Sequence, residues 1–169
     1  MTNLNLTNYN CGVNKGKQPV AKLIGLATDR KPVPDGMSFK IFWNSHSPSH
    51  ALSGLKHIQH DGTIYVDQTG FYYIFSQIKI KLTQKNATDH TNDQIVRHYV
   101  HLNSHKGNGV TLLEDATSQC DIMTEESEAT SIIGGVFKLE TGDNVYVTTS
   151  HPDRLSADLY NSHFSIHSI

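Results

Sequence analysis

The side chains best suited to chemistry in this sequence are two cysteines and eleven histidines. Cys120 stands in "LLEDATSQCDIM", directly after a predicted strand, and Cys11 lies in a polar stretch near the N-terminus. A cysteine can bind a metal as a thiolate, form a disulfide or remain a free thiol. Two cysteines are too few for a disulfide scaffold. The residues themselves leave three states of Cys120 open: a metal ligand, a free thiol, or a partner of Cys11 within or between chains.

The histidines do not form a zinc-enzyme pattern. His57 and His60 are three residues apart, and His98, His101 and His105 follow one predicted strand and its loop. Zinc-enzyme spacing requires a supporting carboxylate with helical or loop geometry, and none accompanies these residues. We therefore expect most of the histidines to be surface residues.

Enzyme signatures are absent from the sequence, which has no GxSxG elbow, HExxH, P-loop or GxGxxG motif. We expect a protein that is not an enzyme and has no small-molecule substrate. The 14 basic and 16 acidic residues nearly balance. A balanced charge argues against nucleic acid, or an anionic membrane, as the main partner.

Two N-glycosylation sequons favour a secreted protein. Asn5 begins Asn-Leu-Thr and Asn86 begins Asn-Ala-Thr, and both lie in polar stretches that could accommodate a glycan. No apolar run reaches the roughly 18 residues of a membrane span, and no signal peptide opens the chain. We therefore expect any membrane anchor to lie upstream of these residues.

The elements that must position these side chains are predicted to be β-strands. Apolar residues occur in short runs rich in β-branched and aromatic types, separated by Gly, Asn, Asp, Pro and Ser. Such a series without helices predicts an all-β fold, an antiparallel β-sandwich of the jelly-roll type. We expect one domain over residues 20–169, preceded by a flexible arm over residues 1–19. The predicted strands include "VAKLIGLAT", "ALSGLKHI" and "GFYYIFSQIKIKL".

The strand "GFYYIFSQIKIKL" is apolar on both faces over its first half. Tyr72 and Ile74 belong to a series that faces the core, whereas Tyr73 and Phe75 face the other way. A half-buried strand alternates throughout, and large uncovered apolar patches are rare on soluble monomers. The pattern therefore indicates either a cover by the chain's own arm or loops, or a subunit interface.

Several segments together resemble the tumour necrosis factor superfamily. They are "FKIFWNS", "DGTIYVDQTGFYYIFSQI", "IIGGVFKLETGDNVYVTTS" and the final "FSIHSI", in that family's order and spacing. The resemblance implies a homotrimeric jelly roll. It implies an extracellular cytokine-like ligand that clusters cysteine-rich TNF-receptor-family receptors of the death-receptor type, in apoptotic or immune signalling. It also implies the ectodomain of a type II membrane protein, or its shed form.

The resemblance implies a trimer interface made of six residues: Tyr73, Phe75, Gln77, Ile132, His163 and Ile169. His163 stands where family members often carry an aromatic residue. Three imidazolium groups brought together near the three-fold axis would repel one another at acidic pH. We take a pH-sensitive trimer as one hypothesis for His163, and a neutral, hydrogen-bonded ring of histidines as the other.

Within the superfamily, "GFYYIFSQ", "NDQIVRHY" and "SQC" most resemble the TNF-related apoptosis-inducing ligands. That resemblance implies that three copies of Cys120 meet on the three-fold axis and hold one zinc ion per trimer. Zinc prefers four tetrahedral ligands that include thiolate or imidazole. A water molecule or a chloride ion would complete the set.

The resemblance also implies receptor contacts in loops at the subunit boundaries, which here are Thr28–Gly36, Asn103–Gly109 and Ser150–Asp158. The candidate receptor-binding residues are Arg30, Gln94, His105, Lys106, Arg154 and Asp158. The tip of the second loop lacks the aromatic or apolar anchor of several family members. Because such anchors often dominate binding energy, we expect a different receptor or a different mode of engagement.

Two alternatives share the jelly roll. One is a pattern-recognition or scaffold module like the trimeric heads of the first complement component. A collagen-like Gly-X-Y stretch would favour it, and these residues contain none. The other is a carbohydrate-binding domain, which needs exposed aromatic platforms, whereas Trp43 falls in a strand that the family buries.

Overall fold

The computed structural model of the chain describes residues 17–83, 95–118, 126–156, 158 and 160–169. These residues form β-strands and one 3₁₀ helix, which spans Pro152–Arg154. In this part of the chain no helix has the length and apolar character needed to cross a membrane. In chain order the strands are β1 (Val20–Ile24), β2 (Val33–Asp35), β3 (Ser38–Lys40), β4 (His50–Leu52), β5 (Leu55–Ile58), β6 (Thr63–Val66), β7 (Gly70–Thr83), β8 (Ile95–Asn103), β9 (Gly109–Ser118), β10 (Glu126–Leu139), β11 (Asn144–Thr149) and β12 (His163–Ser168).

The strands form two antiparallel sheets. Sheet I has the order β10-β7-β12-β1-β4. In sheet II, β11 pairs with β8 along one edge and with β6 and β3 along the other. Beyond these, β9 pairs with β8, β5 with β6, and β2 with β3. Neighbours that are not consecutive in the chain are typical of a jelly roll, and the predicted antiparallel β-sandwich is confirmed.

The core lies between the two sheets. Alternation along β7 sends Ile74 and Ile78 inwards from sheet I, and both are fully buried. Val145 and Val147 do the same from sheet II, and Trp43 is 2% exposed. The inward series of β7 is the one predicted from its period of two. The opposite face of β7, which carries Tyr73 and Phe75, therefore does not belong to this core.

The segment "ALSGLKHI", predicted as one strand, is two strands in different sheets. Ser53 and Gly54 have φ values of 54° and 100°, which interrupt an extended chain. Strand β4 pairs with β1 in sheet I, whereas β5 pairs with β6 in sheet II. The turn at Ser53 and Gly54 carries the chain from one sheet to the other, and the prediction of a single strand was wrong.

Strand β2 lies inside the segment Thr28–Gly36, which was predicted as a loop. It pairs with β3 through Val33, Pro34 and Asp35. Three residues are too few to reveal an alternation, and Pro34 is tolerated because edge strands accept proline. Sequence patterning therefore could not identify this strand.

Candidate functional site

The outer face of sheet I is apolar where β10, β7 and β12 lie side by side. The pairing register places Gln77 between Ile132 and His163, so three predicted interface residues stand in one row across the strands. Alternation along each strand puts the other predicted residues on this same side. We call the surface the apolar face; it comprises Phe71, Tyr73, Phe75, Ile132, Val136, His163, His167 and Ile169.

The apolar face is open to solvent in the single chain. Four of its aliphatic and aromatic side chains are more than half exposed: Phe71, Ile132, Val136 and Ile169. Tyr73, Phe75 and His163 are partly buried; Phe75 packs on His163, and Tyr73 packs on His167. The sequence left two covers open: the chain's own arm or loops, or a subunit interface. Neither the described loops nor residues 17–19 of the arm bury the four exposed side chains. A contiguous apolar surface of this kind indicates an interaction site.

Two aromatic–histidine pairs organise the centre of the apolar face. The rings of Phe75 and His163 stack with centroids 4.9 Å apart and an interplanar angle of 19°. The rings of Tyr73 and His167 meet at 5.3 Å. Burial, and then the positive charge of Lys22, lower the pKa of His163 below its ordinary value. The neutral imidazole is therefore the favoured form of His163 on this face.

A buried polar chain, which the sequence analysis did not single out, crosses between the sheets. His98 of β8 is 0% exposed; its Nε2 atom lies 2.9 Å from Ser76 Oγ and its Nδ1 atom 2.9 Å from Ser131 Oγ. Ser131 in turn donates to Asp115 Oδ2 at 2.5 Å. Because Ser131 has one proton and gives it to a carboxylate, His98 Nδ1–H must donate to Ser131 and His98 Nε2 must accept from Ser76.

His98 is an exception to the expectation that most of the histidines are surface residues. Burial lowers the pKa of His98 to about 4, although the charge of Asp115 opposes the shift. The signal was present in the sequence, since His98 falls between Val96 and Val100 in the inward series of β8, and both valines are buried. With no exposed surface, His98 can act on stability but cannot reach a substrate.

His105 and Lys106, two predicted receptor contacts, are tied to the turn between β10 and β11. The backbone N–H of His105 donates to Asp143 Oδ1 at 3.1 Å, and His105 Nδ1 lies 3.0 Å from the same oxygen. Lys106 Nζ donates to Glu140 Oε2 at 2.6 Å, and this hydrogen bond and charge lower the pKa of Glu140. Both side chains remain exposed at the loop surface.

Asp143 anchors the loop that carries His105 and Lys106. It is 3% exposed, and its Oδ2 atom accepts the backbone N–H of Glu140 at 2.8 Å. Burial would raise the pKa of Asp143, but the hydrogen bonds from Glu140 and His105 outweigh it and hold the pKa below its ordinary value. The loop that carries His105 is therefore held in place by an ionised, buried carboxylate.

Arg30 lies at the opposite end of sheet II. Its Nη1 atom donates to the carbonyl oxygen of His60 at 3.4 Å, just before β6 begins. The group formed by His105, Lys106, Glu140 and Asp143 lies at the other end of β6, where Val66 N–H donates to the Asp143 carbonyl oxygen at 2.9 Å. The fold therefore places Arg30 at one end of β6, and His105 and Lys106 at the other end.

The loops of Arg30 and Arg154 meet around a cavity of about 310 Å³. Arg30 and Pro32 line it from one side, and Pro152 and Leu155 from the other. Arg154 itself is 8% exposed, and its Nη1 atom has no hydrogen-bond partner among the residues that the structure describes. A receptor could reach Arg154 only by displacing part of its loop.

The chain was compared with known protein families. Residues 42–169 match the model of the TNF (Tumour Necrosis Factor) family. The chain belongs to this family. Tumour necrosis factor family members are, in general, non-enzymatic cytokines that form homotrimers, bind TNF receptors and are extracellular or type II membrane proteins. The chain is accordingly a TNF-like cytokine ligand.

Asp158 is the last predicted receptor contact of this tumour necrosis factor family chain that the structure describes. Asp158 is exposed, and its Oδ2 atom accepts from Asn161 Nδ2 at 2.6 Å. Within the described ranges, no group of three His, Cys, Asp or Glu side chains could hold a metal ion. Five residues named in the predictions lie outside the described residues: Asn5, Cys11, Asn86, Gln94 and Cys120.

Proposed function

We propose that this tumour necrosis factor family chain is a homotrimeric extracellular ligand that binds and clusters death-receptor-type receptors and so triggers apoptotic or immune signalling. The observation that carries the proposal is the apolar face. In one chain it exposes several large apolar side chains, and burying apolar surface contributes roughly 25 cal/mol per Å². A homotrimer gives each chain two neighbours of the same kind to cover this surface.

The six proposed interface residues fit this role. Tyr73, Phe75 and Ile132 supply apolar area, while Gln77 is held in place because its Nε2 atom donates to the Asn161 carbonyl at 3.0 Å. His163 is stacked on Phe75. Ile169 is held by a backbone hydrogen bond from its N–H to the Phe71 carbonyl at 3.1 Å. Most of these side chains are therefore positioned before assembly, which lowers the cost of ordering them.

We propose that the receptor contacts both groups at the ends of sheet II. Arg30 is exposed and forms no ion pair with the carboxylates of the described residues, so an acidic receptor residue could pair with it. Lys106 and His105 offer a second, pre-ordered polar group. Asp158 is exposed, and Gln94 completes the proposed set. Arg154 contributes through the shape of its loop while its side chain stays buried.

The proposed zinc site rests on the resemblance to the TNF-related apoptosis-inducing ligands. The metal would be held by three copies of Cys120, one from each subunit, and its chemistry would be structural: it would link the subunits through thiolate bonds. Cys120 is the candidate because that resemblance implies that its three copies meet on the three-fold axis. Replacing Cys120 with Ser should remove the metal, and zinc that persists in the Cys120→Ser protein would contradict the assignment.

We also propose secretion or shedding from a type II membrane protein, with glycans on Asn5 and Asn86. The two sequons lie in polar segments of the sequence, where a bulky glycan does not compete with packing. Expression in a secretory cell line, with and without a glycan-removing enzyme, would measure the mass that each sequon carries.

Receptor binding is tested with a panel of soluble cysteine-rich ectodomains of the TNF-receptor family, measured by surface plasmon resonance. We expect at least one ectodomain to bind the wild-type ligand. The Ile132→Asp variant, designed to separate the subunits, should bind the same ectodomain far more weakly because it loses avidity. Equal binding by both proteins would contradict a receptor-clustering trimer.

A further inference from the structure

We infer that protonation of His163 and His167 separates the homotrimer at mildly acidic pH while each subunit stays folded. The inference rests on the proposed trimer and adds to it a release mechanism. Both histidines lie in the centre of the apolar face, and each packs on an aromatic side chain that the interface would cover, at 4.9 Å for Phe75 and 5.3 Å for Tyr73.

Cations surround the two histidines. From β1, Lys22 pairs in register with Ser165, the residue between the histidines in the outward series of β12. From β4, His50 pairs with Lys22. The outward series of β7 continues past Gln77 to Lys79 and Lys81, and Lys138 of β10 pairs with Phe71. Because Lys79 is paired with Glu128, the positive charge that a proton on either histidine would meet comes from Lys22, Lys81 and Lys138.

Carboxylates that could balance such a proton are scarce on this face. Among the described side chains, Glu128 of β10 faces outwards but forms an ion pair with Lys79. Asp158, in the loop before β12, is hydrogen bonded to Asn161. The remaining neighbours of the histidines on β7, β10 and β12 are aromatic, aliphatic or neutral polar residues. The described residues therefore offer no carboxylate that is free to pair with an imidazolium in the closed interface, and burying an unpaired charge is costly.

The direction of the pH effect follows from linkage. In a separated subunit, the rings of both histidines are open to water, because His167 is exposed and His163 is half-buried. In the trimer, added burial and the copies from two neighbouring chains favour the neutral form. Dissociation therefore takes up protons. The trimer has its full stability at neutral pH, and that stability falls as the pH drops through the range in which the free subunits protonate.

The test is sedimentation velocity at pH 7.5, 6.5 and 5.5, with far-UV circular dichroism of the same samples. EDTA is present throughout, so that loss of zinc at low pH cannot mimic the effect. The wild-type chain should be trimeric at pH 7.5, and its dissociation constant should rise by about 100-fold or more at pH 5.5. Its circular dichroism spectrum should not change.

Two variants assign the effect to these side chains. His163→Phe/His167→Phe keeps aromatic packing but cannot take up a proton, and it should remain trimeric at pH 5.5. His46→Gln/His60→Gln removes two exposed loop histidines outside the apolar face and should respond to acid as the wild type does.

The possible outcomes separate this inference from the proposed function. A wild-type chain that is monomeric at pH 7.5, both in EDTA and in a reference sample without EDTA, would contradict the trimer itself. A trimer of equal stability at pH 7.5 and 5.5 would contradict the inference alone. So would a histidine-to-phenylalanine double variant that dissociates like the wild type, or a wild-type trimer that dissociates only as its subunits unfold.

Discussion

Tyr73 of β7 lies over Gly134 of β10, so close that a Cβ atom at position 134 would stand 2.7 Å from the Tyr73 hydroxyl oxygen. The first glycine of the "GG" pair therefore lets an aromatic ring lie across the neighbouring strand. The ring of Tyr73 also packs against His167. A small change in β10 would thus alter the shape of the apolar face while leaving the core between the sheets intact.

Gly134→Ala should weaken assembly more than folding. The new methyl group would displace the Tyr73 ring, a movable side chain, and would also stand 3.1 Å from the Ile74 carbonyl oxygen. The main change would be in the surface that the neighbouring subunit would cover. We expect about a tenfold or greater rise in the trimer dissociation constant, measured by sedimentation equilibrium. Gly109→Ala is the matched control, because its nearest contact would be the Leu102 carbonyl at 3.9 Å. Equal effects of the two substitutions would contradict the role of Gly134.

Ile132→Asp should separate the subunits. Ile132 is 55% exposed in the single chain, so the aspartate costs the subunit little, but an interface would remove its charge from water, which is costly. We expect the trimer dissociation constant to rise by about 100-fold or more, measured by size-exclusion chromatography with light scattering. Val110→Asp places the same charge at a residue that is 48% exposed on sheet II, and it should stay trimeric. A trimer that tolerates Ile132→Asp would exclude the apolar face as the interface.

The fold itself should lose stability in acid through His98. Its pKa of about 4 in the folded chain lies below the ordinary 6.5, so the unfolded chain binds the proton first. The stabilisation is complete above pH 6.5 and falls as the pH drops towards 4, by about 3 kcal/mol in total. Urea denaturation of the Ile132→Asp protein at several pH values measures this without coupling to assembly.

His98→Gln isolates that contribution. The variant should be about 1–3 kcal/mol less stable at pH 7, because the hydrogen bonds to Ser76 and Ser131 are disturbed. It should also lose the extra slope between pH 6.5 and 4 that the wild type shows. An identical pH dependence in the two proteins would mean that His98 does not stay neutral in the fold.

Asp143→Asn should loosen the loop that carries His105. Asparagine has one acceptor oxygen where the carboxylate has two, so its amide nitrogen would face the N–H of His105 or of Glu140. We expect a loss of about 1–3 kcal/mol in urea denaturation at pH 7. Asp158→Asn, at an exposed position, should change stability far less. Equal losses would argue against Asp143 as an anchor.

The outward residues of β7 were predictable because side chains alternate with a period of two along "GFYYIFSQIKIKL". Pairing with neighbouring strands preserves this alternation. The positions of Ile132 and His163 beside Gln77 came only from the family resemblance, since strand order is a property of the whole chain. The break at Ser53 and Gly54 was missed because two turn residues within an apolar run resemble an irregularity in one strand and do not show that the chain changes sheets.

Side-chain partners were the least predictable part. Nothing in the sequence links His105 to Asp143, because their contact depends on two loops that meet only in the folded sandwich. His98 carried a weak signal in its alternation with Val96 and Val100, but a histidine in that series is unusual because burial favours apolar residues. His167 was not predicted as an interface residue, and it became a candidate only when its ring was found on Tyr73.

Native mass spectrometry of the purified chain, at pH 7.5 and micromolar concentration, tests the homotrimer most directly. We expect a complex of three chains, each of 18.8 kDa, that persists after removal of unbound metal. A single-chain species under these conditions, with Phe71, Ile132 and Val136 open to solvent, would contradict the homotrimer.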